Sequence, residues 1–266
     1  MQGDAGRGRR GPAFPGVRLE RFRDLTLIYL EKGGPVLVVS CDSSGGVGPK
    51  EGDAVRVPGR VVGKFAARVA LMEVMAAGAT PVSLVNNLCV EPEPTGKEIL
   101  EGVRKEARLV GLDPDLAITG STEKNIPTIQ TGVGITVLGL AWAEELRLGK
   151  SRPGHLVACV GVPRVGEEVV VAADAEMMDL LALRALMGLP YVREALPVGS
   201  TGIAREAAAL AAGARCKLNL YPGVSLDLAK SAGPATCVVV TLEGGDDEEL
   251  RRITGKPVEV IGYLSD

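Results

Sequence analysis

A near-continuous apolar and β-branched run at residues 35–41, PVLVVSC, stops abruptly in the polar, glycine-rich stretch DSSGGVGPKEGD. Such a run reads as a buried strand, and the change of character predicts that a loop leaves it at Asp42. From Lys64 to Ala79 the chain holds helix formers with apolar residues at helical spacing, and Gly78 supplies a stop signal. Residues 80–90 predict a second strand. A turn and an amphipathic helix follow, with Thr95 as its cap and Glu98 three residues on. Residues 115–119 predict a third strand, and 132–145 form a segment long and β-rich enough to close the sheet. Strands that alternate with helices in this order pack as a sheet covered by helices.

Around residues 150–154 the composition turns to Lys, Ser, Arg, Pro and Gly, which marks a boundary between a unit at 17–150 and one at 151–266. An Arg-rich start, residues 1–16, reads as a disordered tail. The second half predicts a strand at 155–162, helices near 174–188 and 202–213, and a strand near 215–220. A short helix near 225–232, a strand at 236–242 and a closing helix and strand follow, so both halves mix α and β and the class is α/β (α+β). The 266 residues, 46% hydrophobic, suffice for a large core. A net charge of -3 with both signs spread along the chain lacks the basic excess that nucleic acid demands. No apolar run reaches the length of about 18 residues that a spanning helix needs, so the expectation is a cytoplasmic protein without a membrane partner. Five cysteines without a CxxC pair point to free thiols.

Several stretches have the makings of a site. Asp42 to Lys50 places an acid, small residues and a lysine where a strand ends; Asp42 suits a metal, Lys50 a phosphate, and Gly45, Gly46 and Gly48 let backbone N–H groups approach oxygens. A plain surface turn has the same composition, and neither the Walker spacing nor GxGxxG is present. Glu73 lies between Met72 and Val74 on an apolar helix, so it either faces a site, pairs with Arg68 or is solvated on the narrow polar stripe. Asn86 and Asn87 end a strand; adjacent residues point to opposite faces, so only one of them faces a site, unless both cap a turn. The run TGSTEKNIPT, residues 119–128, is either a phosphate loop or a simple connection. His155, the sole histidine, reads as structural, and Ser200 and Asp227 as helix caps or polar contacts.

Taken together, DSSGGVGPK followed by GKFAARVALMEVMAAGATP resembles the nucleotide-binding half of the superfamily that holds aminoimidazole ribonucleotide synthetase, thiamine monophosphate kinase, selenophosphate synthetase and the hydrogenase-maturation dehydratase. Met72-Glu73 stands where that superfamily has an Asn-Asp pair, and Gly78-Ala79-Thr80-Pro81 matches its Gly-Ala-x-Pro ending. Asn86 and Ser121 replace acids of the better-known members. The strings CDSSGGVGPKEGDAVRVP, VNNLCVEPEPTG and ITGSTEKNIPT are similar to the bacterial α-ribazole kinase branch. The resemblance implies a two-domain fold: an N-terminal ATP domain that pairs with a second copy into a β-barrel-like homodimer core, and a C-terminal α+β domain covering the site. It further implies ATP and Mg²⁺ as cofactors and phosphorylation of the 5′-hydroxyl of α-ribazole, a small-molecule substrate. The roles that follow are metal binding by Asp42, Glu73 and Glu123, catalysis by Lys50 and Glu123, and nucleotide contacts from Gly45, Gly46, Gly48, Lys50, Asn86, Gly120, Ser121 and Thr122. A thiamine monophosphate kinase, a synthetase that activates a carbonyl oxygen, and a non-catalytic nucleotide-binding protein are the alternatives.

Overall fold

The structure is a computed structural model that describes residues 16–245 and 247–266. The tail expected at residues 1–16 lies, but for Gly16, outside the described residues. The first half comprises β1 (Arg18–Phe22), β2 (Leu25–Tyr29), β3 (Val36–Gly45), β4 (Val47–Gly48), β5 (Val55–Arg56), α1 (Gly59–Ala76), β6 (Thr80–Leu88), α2 (Lys97–Leu109), α3 (Pro114–Ala117), β7 (Ile118–Thr122) and β8 (Gly132–Ala141). The second comprises β9 (Leu156–Gly161), α4 (Glu167–Val171), α5 (Leu180–Met187), β10 (Val192–Pro197), α6 (Ile203–Gly213), β11 (Lys217–Leu220), β12 (Cys237–Leu242), α7 (Asp247–Thr254) and β13 (Val258–Ser265).

The first sheet is open, with order β1-β2-β3-β8-β6-β7. β8 lies in its middle, pairing antiparallel with both β3 and β6, instead of closing an edge. That central place explains why β3 runs past Asp42. Its polar residues 42–45 keep a backbone ladder partner as far as Gly45↔Gly132, and ladder bonds do not depend on side chains. β3, β6 and β7 run in the same direction, so their C-terminal ends share one edge.

α1 lies on one face of this sheet. Ser40 on β3 donates to the Ala70 carbonyl at 2.7 Å, and Ala67, Leu71, Met72 and Val74 are buried with Val38, Leu84, Ile135 and Val137. α1 and α2 touch through glycine: a Cβ on Gly63 would fall 1.9 Å from the Ile99 carbonyl oxygen, and one on Gly102 would fall 2.2 Å from that of Arg60. Glu98, expected to close a capping box with Thr95, instead accepts from the Gly59 N–H at 2.9 Å and caps α1, while Thr95 donates to Glu91. This cap across the helix pair accounts for α1 beginning five residues before Lys64.

The second sheet is antiparallel, order β10-β12-β9-β13-β11, and its strands β9 and β12 are buried on both faces. Ala158, Val160, Val238 and Val240 join the core of α1 and α5, whereas Val157, Cys159 and Val239 pack with Ile203 and Leu210 of α6. The helix expected at 174–188 is a short 3₁₀ turn followed by α5, whose N-cap Asp179 accepts from Leu181 and Ala182 N–H groups. No helix forms at 225–232, where Asp227 accepts from Ala229 and Lys230 N–H groups in a turn. Among the described residues no helix is long and apolar enough to cross a membrane.

Candidate active site

Asp42, Ile135, Asn86 and Gly120 occupy one transverse row of the first sheet. Residues paired across strands share a face, so Asp42 and Asn86 both point toward the side that carries α1, while Asn87 is exposed on the other. Asn86 is buried, and its amide donates to the Thr119 carbonyl at 3.0 Å, tying β6 to β7.

A cavity of about 480 Å³ opens beside Asp42, between α1 and the loops of the second sheet. Its walls are mainly apolar, including Val57, Phe65, Val69, Val165 and Val169, with Asp42, Ser43, Ser44, Glu73 and Ser200 as polar members. This is in the usual size range for a small-molecule site. Ser200 therefore serves as a wall rather than a cap. Arg68 does not pair with Glu73: its guanidinium binds Glu106 at 2.9 and 3.2 Å in a buried pair. Glu73 has no hydrogen-bond or ion-pair partner among the described residues. Burial, then the negative charges of Asp24 and Glu206, push its carboxyl up to about 8, with Arg23 opposing and Asp42 adding to the rise. Burial also raises the carboxyl of Asp42, against a hydrogen bond from the Ser43 N–H. Glu73 further lines a second cavity of about 390 Å³ with Arg23, Asp24, Arg205 and Glu206.

The glycine loop lends Val47 to this cavity and is braced at its far end. Buried Asp53 accepts from the Thr131 N–H and hydroxyl, each at 2.7 Å, and from the Lys50 N–H at 2.9 Å. Gly48 sits against this clamp: a Cβ there would lie 2.3 Å from the Thr131 hydroxyl oxygen. Gly46 donates its N–H to the Thr131 carbonyl, and Gly45 pairs with Gly132. The Lys50 ammonium binds Glu91 at 2.5 Å and the Thr128 carbonyl at 2.9 Å. Desolvation opposes the effect, but the Lys50 and Thr95 hydrogen bonds bring the Glu91 carboxyl down to about 2. Glu123 is turned to its own loop, accepting from the Asn125 and Ile126 N–H groups at 2.7 and 3.1 Å, which lowers its pKa.

The anticipated residues thus divide into two groups. Asp42 and Glu73 share the cavity, whereas Lys50, Thr122 and Glu123 sit at the β6–β7 side with Gly120 and Ser121. Three strand spacings, about 14 Å, separate β3 from β7. Asp42, Glu73 and Glu123 consequently do not form one ligand shell, and among the described residues no three His, Cys, Asp or Glu side chains gather as metal ligands. Asp53 and Glu91 escaped the sequence reading; Asp53, three residues beyond Lys50, had only that spacing to mark it. His155 accepts the Arg152 N–H on Nδ1 and holds a turn.

An open six-stranded sheet backed by α1, joined to an antiparallel α+β half over a shared cavity, defines a two-part fold of the aminoimidazole-ribonucleotide-synthetase type. Residues 24–141 match the family described as AIR synthase related protein, N-terminal domain. The chain shares its fold with Escherichia coli hydrogenase maturation protein HypE (TM-score 0.65, 17% identity, 86% of this chain and 80% of that one). It likewise shares it with thiamine-monophosphate kinase from Stenotrophomonas maltophilia K279a (0.60, 16%, 92% and 89%). The third is T. maritima PurL complexed with AMPPCP (0.62, 15%, 93% and 42%). No curated protein matches the sequence.

Proposed function

We propose that this protein is an ATP-dependent small-molecule kinase whose acceptor is the ribosyl 5′-hydroxyl of α-ribazole. The observation that carries the reading is the cavity at Asp42 and Glu73, with mainly apolar walls suited to a planar ring and these two carboxylates in its lining. Two proteins of the same fold support the use of nucleotide, one being a thiamine-monophosphate kinase and the other a complex with AMPPCP. The choice of α-ribazole rests on the sequence strings around Asp42, Asn86 and Thr119.

Asp42 and Glu73 fit Mg²⁺. The cavity wall has no Lys or Arg, so a polyphosphate beside it requires other neutralisation, and Glu73 is a carboxyl without a partner. Mg²⁺ takes one or two carboxylates and completes its shell with phosphate oxygens and water; when bound it supplies charge neutralisation. In this reading Asp42 and Glu73 hold the cation, and Phe65 and the valines exclude water and position the acceptor. Lys50 reaches phosphate by exchanging its Glu91 partner, with Gly45, Gly46 and Gly48 shaping that approach. Asn86, Gly120, Ser121 and Thr122 border the nucleotide. Glu123 in its present conformation faces away from the cavity, so the carboxylate nearest an acceptor hydroxyl is Asp42 or Glu73.

Self-association belongs to the same proposal. Leu19, Ile28, Leu37 and Leu140 form an apolar row across four strands on the sheet face opposite α1, and Leu19 and Leu140 are exposed. A second copy covering this face would make a homodimer with the nucleotide edge near the seam.

The test is ADP release by the purified chain with Mg-ATP and α-ribazole, thiamine monophosphate or formylglycinamidine ribonucleotide, with mass detection of product. Gain of one phosphate on α-ribazole alone, lost in Asp42→Asn, is the expected result. Nucleotide binding without turnover on any acceptor would favour the non-catalytic reading.

A further inference from the structure

Away from the cavity at Asp42, a second-face cavity of about 480 Å³ lies where the C-terminal end of α1 meets α5 and the turn after β8. Its floor is apolar, with Met75, Pro81, Val110 and Met187, and its rim carries Thr80, Glu145, Arg147 and Arg184. Arg147 is half-buried, donates to the Val192 carbonyl at 2.9 Å, and has no carboxylate partner. That is exceptional in this protein. The other buried or half-buried lysines and arginines among the described residues are ion-paired, Arg23, Lys50, Arg68, Arg164 and Lys256 among them.

Arg184 lines the same cavity and is likewise without a carboxylate, its guanidinium donating to the Leu109 carbonyl at 2.9 Å. A carbonyl uses one of the five N–H donors of a guanidinium and neutralises none of its charge. Glu145 forms no ion pair with either guanidinium; its carboxylate accepts from the Trp142 N–H at 3.1 Å. The Thr80 hydroxyl is exposed and unpartnered on the same rim. Burial and the nearby charge of Arg193, itself paired with Glu243, lower the pKa of Arg147, as befits a cation short of an anion.

We propose that this cavity binds a small organic phosphate, with the phosphate held between Arg147 and Arg184 and the apolar body on Met75 and Met187. Guanidinium groups suit phosphate oxygens through paired, charge-assisted bonds. Met75 is two residues from Glu73 on α1, so a ligand here touches the helix that also lines the cavity at Asp42.

Phenyl phosphate, which joins a phosphate to a flat apolar ring, is the probe, titrated into the full chain by calorimetry in low salt with saturating AMPPCP and Mg²⁺ present to occupy any nucleotide site. Benzoate and inorganic phosphate are run beside it. The expected result is saturable binding of one phenyl phosphate per chain, tighter than either comparison compound. Loss of a charge-assisted pair should weaken it about tenfold in Arg147→Gln and several-fold in Arg184→Gln, with no change in Asp42→Asn. Arg184 is exposed, so its variant keeps the test sound if Arg147→Gln fails to fold. Undiminished binding in Arg184→Gln, no binding by the unaltered chain at millimolar probe, or loss in Asp42→Asn alone would overturn the proposal. Equal affinity for benzoate would overturn the phosphate assignment.

Discussion

Replacing Glu73 by Gln should stabilise the protein at alkaline pH and leave it unchanged in acid. Glu73 lies between two cavities without a partner, and its carboxyl is pushed up to about 8 from the usual 4.5. The folded state therefore holds this proton more tightly than the unfolded chain does. Between those two values the folded protein carries more protons than the unfolded one, so the group's contribution falls as pH rises and reaches its full cost above about pH 8. At about 1.4 kcal/mol per tenfold change in proton affinity, the upper bound is about 5 kcal/mol. Water entering from the adjoining cavities reduces this to about 2–4 kcal/mol. Gln has nearly the same shape and no charge. Urea unfolding of both proteins from about pH 4 to pH 9 should give a difference near zero at the acid end and the full gain at the alkaline end. A difference of the same size at both ends would refute the reasoning, because it would show that packing and not ionisation distinguishes the two side chains. If Glu73 holds Mg²⁺, then at alkaline pH Mg-ATP should stabilise the unaltered chain more than the Gln variant.

Gly63→Ala places a methyl 1.9 Å from the Ile99 carbonyl oxygen; prying α1 from α2 should cost about 3 kcal/mol or more, read by urea unfolding. Glu106→Ala strands the buried Arg68 guanidinium and should cost about 3–5 kcal/mol in the same assay. Leu140→Glu, on the face opposite α1, should convert a dimer to a monomer by light scattering while leaving the far-ultraviolet circular dichroism unchanged.

The strand at 35–41, the helix ahead of Gly78 and the strand at 236–242 are legible in the sequence because apolar periodicity and helix stops act over a few residues. Asp42 and Glu73, which line one cavity, are marked in the sequence too: an acid where a strand meets a glycine loop, and another on an apolar helix, stand out against their neighbours. The short strands β1, β2 and β10 are not, since β1 is mostly exposed and owes its place to pairing with β2. Nor is the end of β3, which depends on β8 far along the chain, or the start of α1, which depends on Glu98 of α2. Which charges meet is a tertiary matter. Lys50 is drawn to Glu91, Arg68 to Glu106, Glu123 to its own loop, and Glu73 and Arg147 are left without ionic partners. Local sequence determines where each charge enters the chain, but electrostatic interaction depends on distance and surrounding dielectric, and those exist only once the two sheets have closed on α1.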